Sequence, residues 1–270
     1  LLMNVGLSTI MLSGLFLAAF SATGVLTREI ENKTVLTIVS KPISRPVFLT
    51  GKYLGLMAAQ LVAFYISFLI FALCMHHKTL QYSSDPWDWP AILIGGGSLL
   101  LGLAGGANYF YGKEFSSTAI AFVMPLLTVG TGVTLMFERN VFLKFNTGLI
   151  DGQVLVAAIH LLFAIMIVAA VALAAATRLG QVMTLMVCAM TLMAGFLSDW
   201  TLGQYREEST VAAVLYAIVP NLNFFWVVDA IAADVKIPLT YFLYTTPYTL
   251  LMVTAILLIG VALFQRREVG

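Results

Sequence analysis

Eight stretches of this 270-residue chain run for about twenty residues or more without a charged side chain: 3–25, 53–75, 89–112, 115–137, 152–177, 179–198, 209–228 and 237–265. A helix rises about 1.5 Å per residue, so ~20 apolar residues cross the ~30 Å hydrocarbon core of a bilayer. Repeated eight times, that pattern excludes an ordinary water-soluble core. The chain is 60% hydrophobic and 10% charged, where soluble domains are ~45–50% apolar and ~25% charged. Lipid leaves backbone N–H and C=O groups no water to bond, so only helices and closed barrels span it. A barrel would read as short alternating strands, which these long runs are not. The expected fold is an all-α polytopic membrane protein forming a single transmembrane domain over 1–270. The loops leave no room for a soluble domain of ~100 residues.

Charge orients the spans. With 28–52 set on the cytoplasmic side and the runs alternating, Arg28, Lys33, Lys41, Arg45, Lys52, Lys113, Arg178, Arg266 and Arg267 fall inside. Lys78, Arg139, Lys144, Arg206 and Lys236 fall outside. Nine basic residues inside against five outside obey the positive-inside rule. That arrangement uses about seven spans and sets 209–228 apart. Pro220, Asn221 and Asn223 interrupt this run, and Phe224, Phe225 and Trp226 form an aromatic cluster beside them. Such a segment is expected to be re-entrant or interfacial on the outer side, because counting it as a span would send the basic tail "FQRREVG" outside. The chain opens on "LLMNVG" without an initiating Met, so upstream residues are expected to be missing.

Between the first two spans lies "REIENKTVLTIVSKPISRP", residues 28–46, a polar detour in a greasy chain. Read as a helix over about 28–41, it places apolar Ile30, Val35, Leu36, Ile38 and Val39 among polar Glu29, Glu31, Asn32 and Lys33. Pro42 disfavours helix at Lys41. Ser44 can then cap a new helix whose first turn tolerates Pro46. The residues alone leave several readings open: a membrane-surface loop whose basic residues simply obey topology, a basic interfacial helix that binds anionic lipid heads, or a rigid elbow that presents a helix to the cytoplasm.

The longer stretch "TREIENKTVLTIVSKPISRPVFLTGKYLG", 27–55, resembles the signature of ABC-2 type permeases, the membrane subunits of ATP-driven exporters. Glu29, Glu31, Thr34, Pro42, Ser44, Arg45, Gly51 and Lys52 stand at the matching places. "TRLGQV" (177–182) and the closing "LFQRREVG" (263–270) are weaker echoes. The resemblance implies that 28–41 is a coupling helix docking in a groove of a separate ABC ATPase subunit. Val35, Leu36, Ile38 and Val39 would fill that groove, while Glu29, Glu31, Lys33 and Arg45 set register by charge; Thr34 and Pro42 complete the motif. It further implies a second permease subunit, identical or homologous, and a multi-pass protein of the cell membrane, with a bacterial inner membrane as its home. The family commonly has six spans with this helix between the second and third, so seven or eight is a departure. The alternative function is a non-transporting membrane scaffold that anchors a larger complex.

No catalytic chemistry is expected of the chain itself. "GGANYFYGKE" (105–114) ends in Gly-Lys, but Ala107 stands where a phosphate-binding loop needs its first glycine and Glu114 where it needs Ser or Thr. The chain is therefore not expected to hydrolyse ATP itself; the resemblance implies that ATP and magnesium belong to the partner ATPase, and no cofactor, metal or nucleic acid is expected here. His76 and His77, beside Lys78, are a poor metal pair. His160 is the one ionisable group deep in a span, and its expected role is a hydrogen bond to a neighbouring helix. Cys74 and Cys188 read as buried structural thiols. Gly51-x-x-x-Gly55 and Gly102-x-x-x-Gly106 read as close helix–helix contacts.

Overall fold

The computed structural model describes residues 2–31, 44–77, 88–138, 141–145 and 152–265. Its long helices are α1 (Leu2–Glu31), α2 (Arg45–His77), α3 (Asp88–Tyr111), α4 (Phe115–Met136), α5 (Gly152–Ala176), α6 (Gln181–Thr201) and α9 (Phe242–Gln265). The short α7 (Thr210–Ile218) and α8 (Val228–Ala232) lie between α6 and α9. Two short strands, β1 (Phe137–Glu138) and β2 (Val141–Phe145), pair antiparallel with Phe137 opposite Phe145 and Glu138 opposite Val141.

Among the described residues, six segments are long and apolar enough to cross a membrane: Leu2–Val25, Arg45–Met75, Phe115–Gly132, Gly152–Ala176, Gln181–Tyr205 and Leu239–Gln265. The chain is a polytopic helical membrane protein. α3 adds a 24-residue helix over the run read as the third span. The run 209–228 is not one long helix. α7 has nine residues, about 13 Å at helical rise and less than half a bilayer core. It ends where Val219 turns extended (φ −73°, ψ 123°), the conformation the following Pro220 demands.

The chain divides into two compact units, 1–6 with 65–152, and 7–64 with 153–270. In the first, α3 and α4 pack together across a three-residue turn. Gly112 supplies the left-handed φ of +63° that closes α3, and Asn108 Nδ2 donates to the Lys113 carbonyl at 2.6 Å. "GGANYFYGKE" is thus the end of a helix and its cap. Tyr65 and Thr128 bring their hydroxyls together at 3.0 Å, joining α2 to α4. Gly6 lies so close to the Phe71 ring that a side chain there would collide with it.

The second unit is built around α5. Of its apolar window 67% is buried, against 22% for α6 and for α9, which puts α5 at the centre. Ala157, Ala164, Ala169 and Ala172 keep it slender enough for neighbours on several sides. α1 turns Leu7, Met11, Leu15, Ala18 and Ala22 inward at helical spacing. Its outward face is apolar too, with Leu12 and Phe16 exposed; a helix apolar all round belongs in lipid.

Association in lipid depends on close packing more than on expelling water, so small residues mark the contacts. They are not the expected glycine pairs: among the described residues, Gly51, Gly55, Gly102 and Gly106 have no neighbour within 4 Å of where a Cβ would stand. The tight contacts in this unit use isolated glycines. A Cβ on Gly14 would meet Ile165 Cδ1 at 2.8 Å and Gln60 Nε2 at 3.1 Å. One on Gly195 would meet the Pro220 carbonyl at 2.7 Å, and one on Gly260 the Ala174 Cα at 3.2 Å and Leu49 Cδ2 at 3.1 Å. The GxxxG spacing misled because it describes one helix, and a contact needs the partner's surface to arrive there. Cys188 is buried as expected, whereas Cys74 is half-exposed.

Candidate functional site

The segment singled out in the sequence joins α1 to α2. α1 has 30 residues, about 45 Å, and α2 has 33, about 50 Å; both exceed the ~30 Å core they cross. The excess of α1 lies at this end, where Arg28, Glu29, Ile30 and Glu31 continue it without a break. Residues 28–31 are thus the last turn of α1 rather than the start of a separate helix. Lys33, Thr34, Val35, Leu36, Ile38, Val39 and Pro42 lie outside the described residues. Ser44 stands at the α2 cap position, where its carbonyl accepts the Phe48 N–H at 3.1 Å, and Pro46 is accommodated in the first turn.

Arg45 is exposed, and its Nη1 donates to the Gln265 carbonyl at 2.7 Å. Arg178, in the turn between α5 and α6, donates from Nε to the Leu263 carbonyl at 2.8 Å. Both cations sit on the last turn of α9, where carbonyls without intrahelical partners carry the negative end of the helix dipole. Phe48 stacks on Phe264 at 5.8 Å, and Lys52 Nζ lies 5.4 Å from the Phe48 ring centre. Three separate segments (the start of α2, the α5–α6 turn and the end of α9) are thereby clamped together at one end of the unit. From the sequence Arg45 reads as an orienting charge and a docking residue for the ATPase, and Arg178 as an orienting charge; neither is paired there with the α9 carbonyls that receive them, 220 and 85 residues away.

At the other end of the same unit, the broken run 209–228 is held by a polar cluster. Asp199, on the last turn of α6, accepts Tyr216 Oη at 2.7 Å and Asn221 Nδ2 at 2.5 Å on Oδ1, and Asn223 Nδ2 at 3.2 Å on Oδ2. Asn221 is buried; its Oδ1 accepts the Asn223 N–H at 3.0 Å, and its own N–H donates to Tyr248 Oη at 2.7 Å. Asn223 Nδ2 also donates to the Phe196 carbonyl at 2.9 Å. Burial pushes the Tyr216 phenol above its ordinary value, and the hydrogen bond to Asp199 adds to the rise. The Arg206 guanidinium lies 5.8 Å from the Tyr216 ring centre. Asp199 thus gathers three donors from 216–223, and the cluster holds that stretch of backbone against the end of α6.

His160 is fully buried against Tyr241 and Phe242, whose ring centres are 5.3 and 4.5 Å away. Its Nδ1 pairs with the Val156 carbonyl at 2.8 Å and its Nε2 with Thr245 Oγ1 of α9 at 3.3 Å. This is the interhelical bond expected of it. Both ring nitrogens are engaged, leaving neither for a ligand. Among the described residues no three metal-ligating side chains converge. Compared with known proteins, the chain matches no family model, no curated protein and no solved structure.

Proposed function

We propose that this chain is the permease subunit of an ABC-2 type exporter, coupled through residues 28–41 to a separate ATPase subunit. The observation that carries the reading is the mounting of that segment. It is slung between a helix that outlasts the bilayer and a helix whose first residue, Arg45, is bonded to the end of α9. A groove that moves this segment therefore moves α1, α2 and α9 together, which is what a transmission element requires. In this reading α3 is the seventh span, the clamped end faces the cytoplasm, and 209–228 is re-entrant or interfacial on the outer side of a bacterial inner membrane. A second permease subunit completes the pathway, and ATP with magnesium is bound and hydrolysed in the partner.

The test is co-purification from native membranes in mild detergent, at low and high salt. Leu36→Asp places an unpaired carboxylate in an apolar groove at a cost of about 3 kcal/mol or more. It abolishes recovery of the ATPase, while Arg45→Glu retains it with hydrolysis uncoupled from transport. A partner ATPase recovered equally with Leu36→Asp and the unmodified chain would sink the coupling-helix assignment. A stable complex containing no ATPase would put the scaffold reading first.

A further inference from the structure

We infer that the outward face of α6 is the surface on which this chain pairs with a second copy of itself, the two α6 helices lying side by side and parallel. This goes beyond the exporter reading, which leaves the second subunit unplaced, and it does not depend on an ATPase. Met183, Met186, Met190, Met193, Leu197 and Trp200 follow one another along α6 at alternating steps of three and four residues. Each is between 47% and 71% exposed, while Thr184, Cys188, Gly195 and Ser198 on the opposite face are buried in the unit. Steps of three and four make the seam of a helix pair, in which the side chains of one helix enter the gaps of the other.

The composition of the face separates it from the surfaces this unit turns to lipid. Among the described residues, every exposed methionine lies on α6. The outward face of α9 is Leu, Ile and Tyr, in adjacent pairs at 243–244, 250–251 and 258–259 rather than in a seam. Fluid lipid adapts to any apolar shape; an unbranched, polarisable Met instead moulds itself to a fixed protein surface, and Met is enriched in interfaces. Exposed Ala194, on the flank of the stripe, lets two backbones approach. The stripe holds no charge, so two copies close on it without burying an ion. The membrane sets both copies the same way up, so their two-fold axis is the bilayer normal and each seam residue faces its own symmetry mate. The six side chains expose roughly 700 Å² per copy, near the ~800 Å² per partner of a standard interface.

The experiment is oxidative cross-linking of the full chain in native membranes, with single cysteines in a background without Cys74 and Cys188. Met186→Cys, Met190→Cys and Met193→Cys each give a product of twice the chain mass, because mates on a seam bring their Cα atoms to about 6 Å, within disulfide range. Leu251→Cys, 72% exposed on α9, reports chance collision in lipid and stays at background. Truncating the centre of the seam, Met190→Ala with Met193→Ala, weakens pairing about tenfold or more, counted by single-molecule photobleaching in liposomes. Circular dichroism of that variant stays at the wild-type level, since both side chains face away from the unit. Cross-linking on α6 no higher than at Leu251→Cys leaves the face to lipid or to the rest of the chain, and overturns the proposal. A product of any other mass gives the face to a different membrane protein, and unaltered pairing in the double variant places the contact elsewhere; either overturns it too. Loss of the ATPase with these products unchanged counts against the exporter reading alone.

Discussion

Asp199 offers the sharpest test of how the broken segment is held. It receives three side-chain hydrogen bonds, from Tyr216, Asn221 and Asn223, at 2.7, 2.5 and 3.2 Å. A bond to a charged group is worth about 1.5–3 kcal/mol when buried; a half-exposed carboxylate earns about 1 kcal/mol from each. Asp199→Ala therefore costs about 3 kcal/mol and strands the amide of the buried Asn221 with Tyr216 alone. Asp199→Asn is more telling because it keeps the shape. All three partners donate, so one face of the new amide must point N–H groups at N–H groups. The expected loss is about 1–2 kcal/mol, with Ala lowering the apparent unfolding midpoint by about 5 °C and Asn by roughly half of that. Intrinsic fluorescence follows it, since Trp226 lies 5.9 Å edge-on to Phe196. Protease access to 209–228 rises in the same order, wild type below Asn below Ala. Identical midpoints for wild type and Asp199→Asn would refute the donor-only account of the cluster.

Gly195→Leu drives a side chain into the Pro220 carbonyl and Leu222; it costs upwards of about 3 kcal/mol and detaches 219–223 from α6, read as new cleavage by an added protease. Tyr216, raised by burial and by Asp199, favours its neutral form in the fold. Its contribution to stability is full below the unfolded value near 10 and is lost as pH climbs through the higher folded value. The difference in phenolate absorbance between wild type and Tyr216→Phe shows that late titration, and Asp199→Asn brings it earlier. For orientation, an impermeant thiol reagent on intact cells labels a cysteine replacing Ser83 and spares one replacing Ser40, in a background without Cys74 and Cys188; labelling at 40 reverses every side assigned here.

The spans were legible because lipid imposes one requirement on every residue of a run, and uncharged length reports it directly. The interruption at 219–223 was legible for a local reason as well: Pro220 forbids helix at Val219, and two asparagines need partners. What could not be read were the partners themselves. Asp199 looked like any residue of an outer loop, since its role depends on Asn221 and Asn223 folding back across α6. The packing glycines show the same limit. Gly14, Gly195 and Gly260 belong to no motif, while the pairs that do belong to one face open space. A glycine becomes a contact only when another helix is delivered to it, and that delivery is a property of the whole unit.

The Gly14 contact also has a mechanical consequence. α1 approaches both Gln60 and Ile165 there, so a helix that tilts must turn about that point as a lever turns about a fulcrum. From Gly14 to Glu31 the arm is about 25 Å, and from Gly14 to Leu7 about 10 Å at helical rise. A sideways push on the last turn of α1 is therefore geared down, its travel shrinking by about two and a half while the force grows in proportion. Replacing Gly14 by any larger residue would move the fulcrum away from its bearing before it altered either arm.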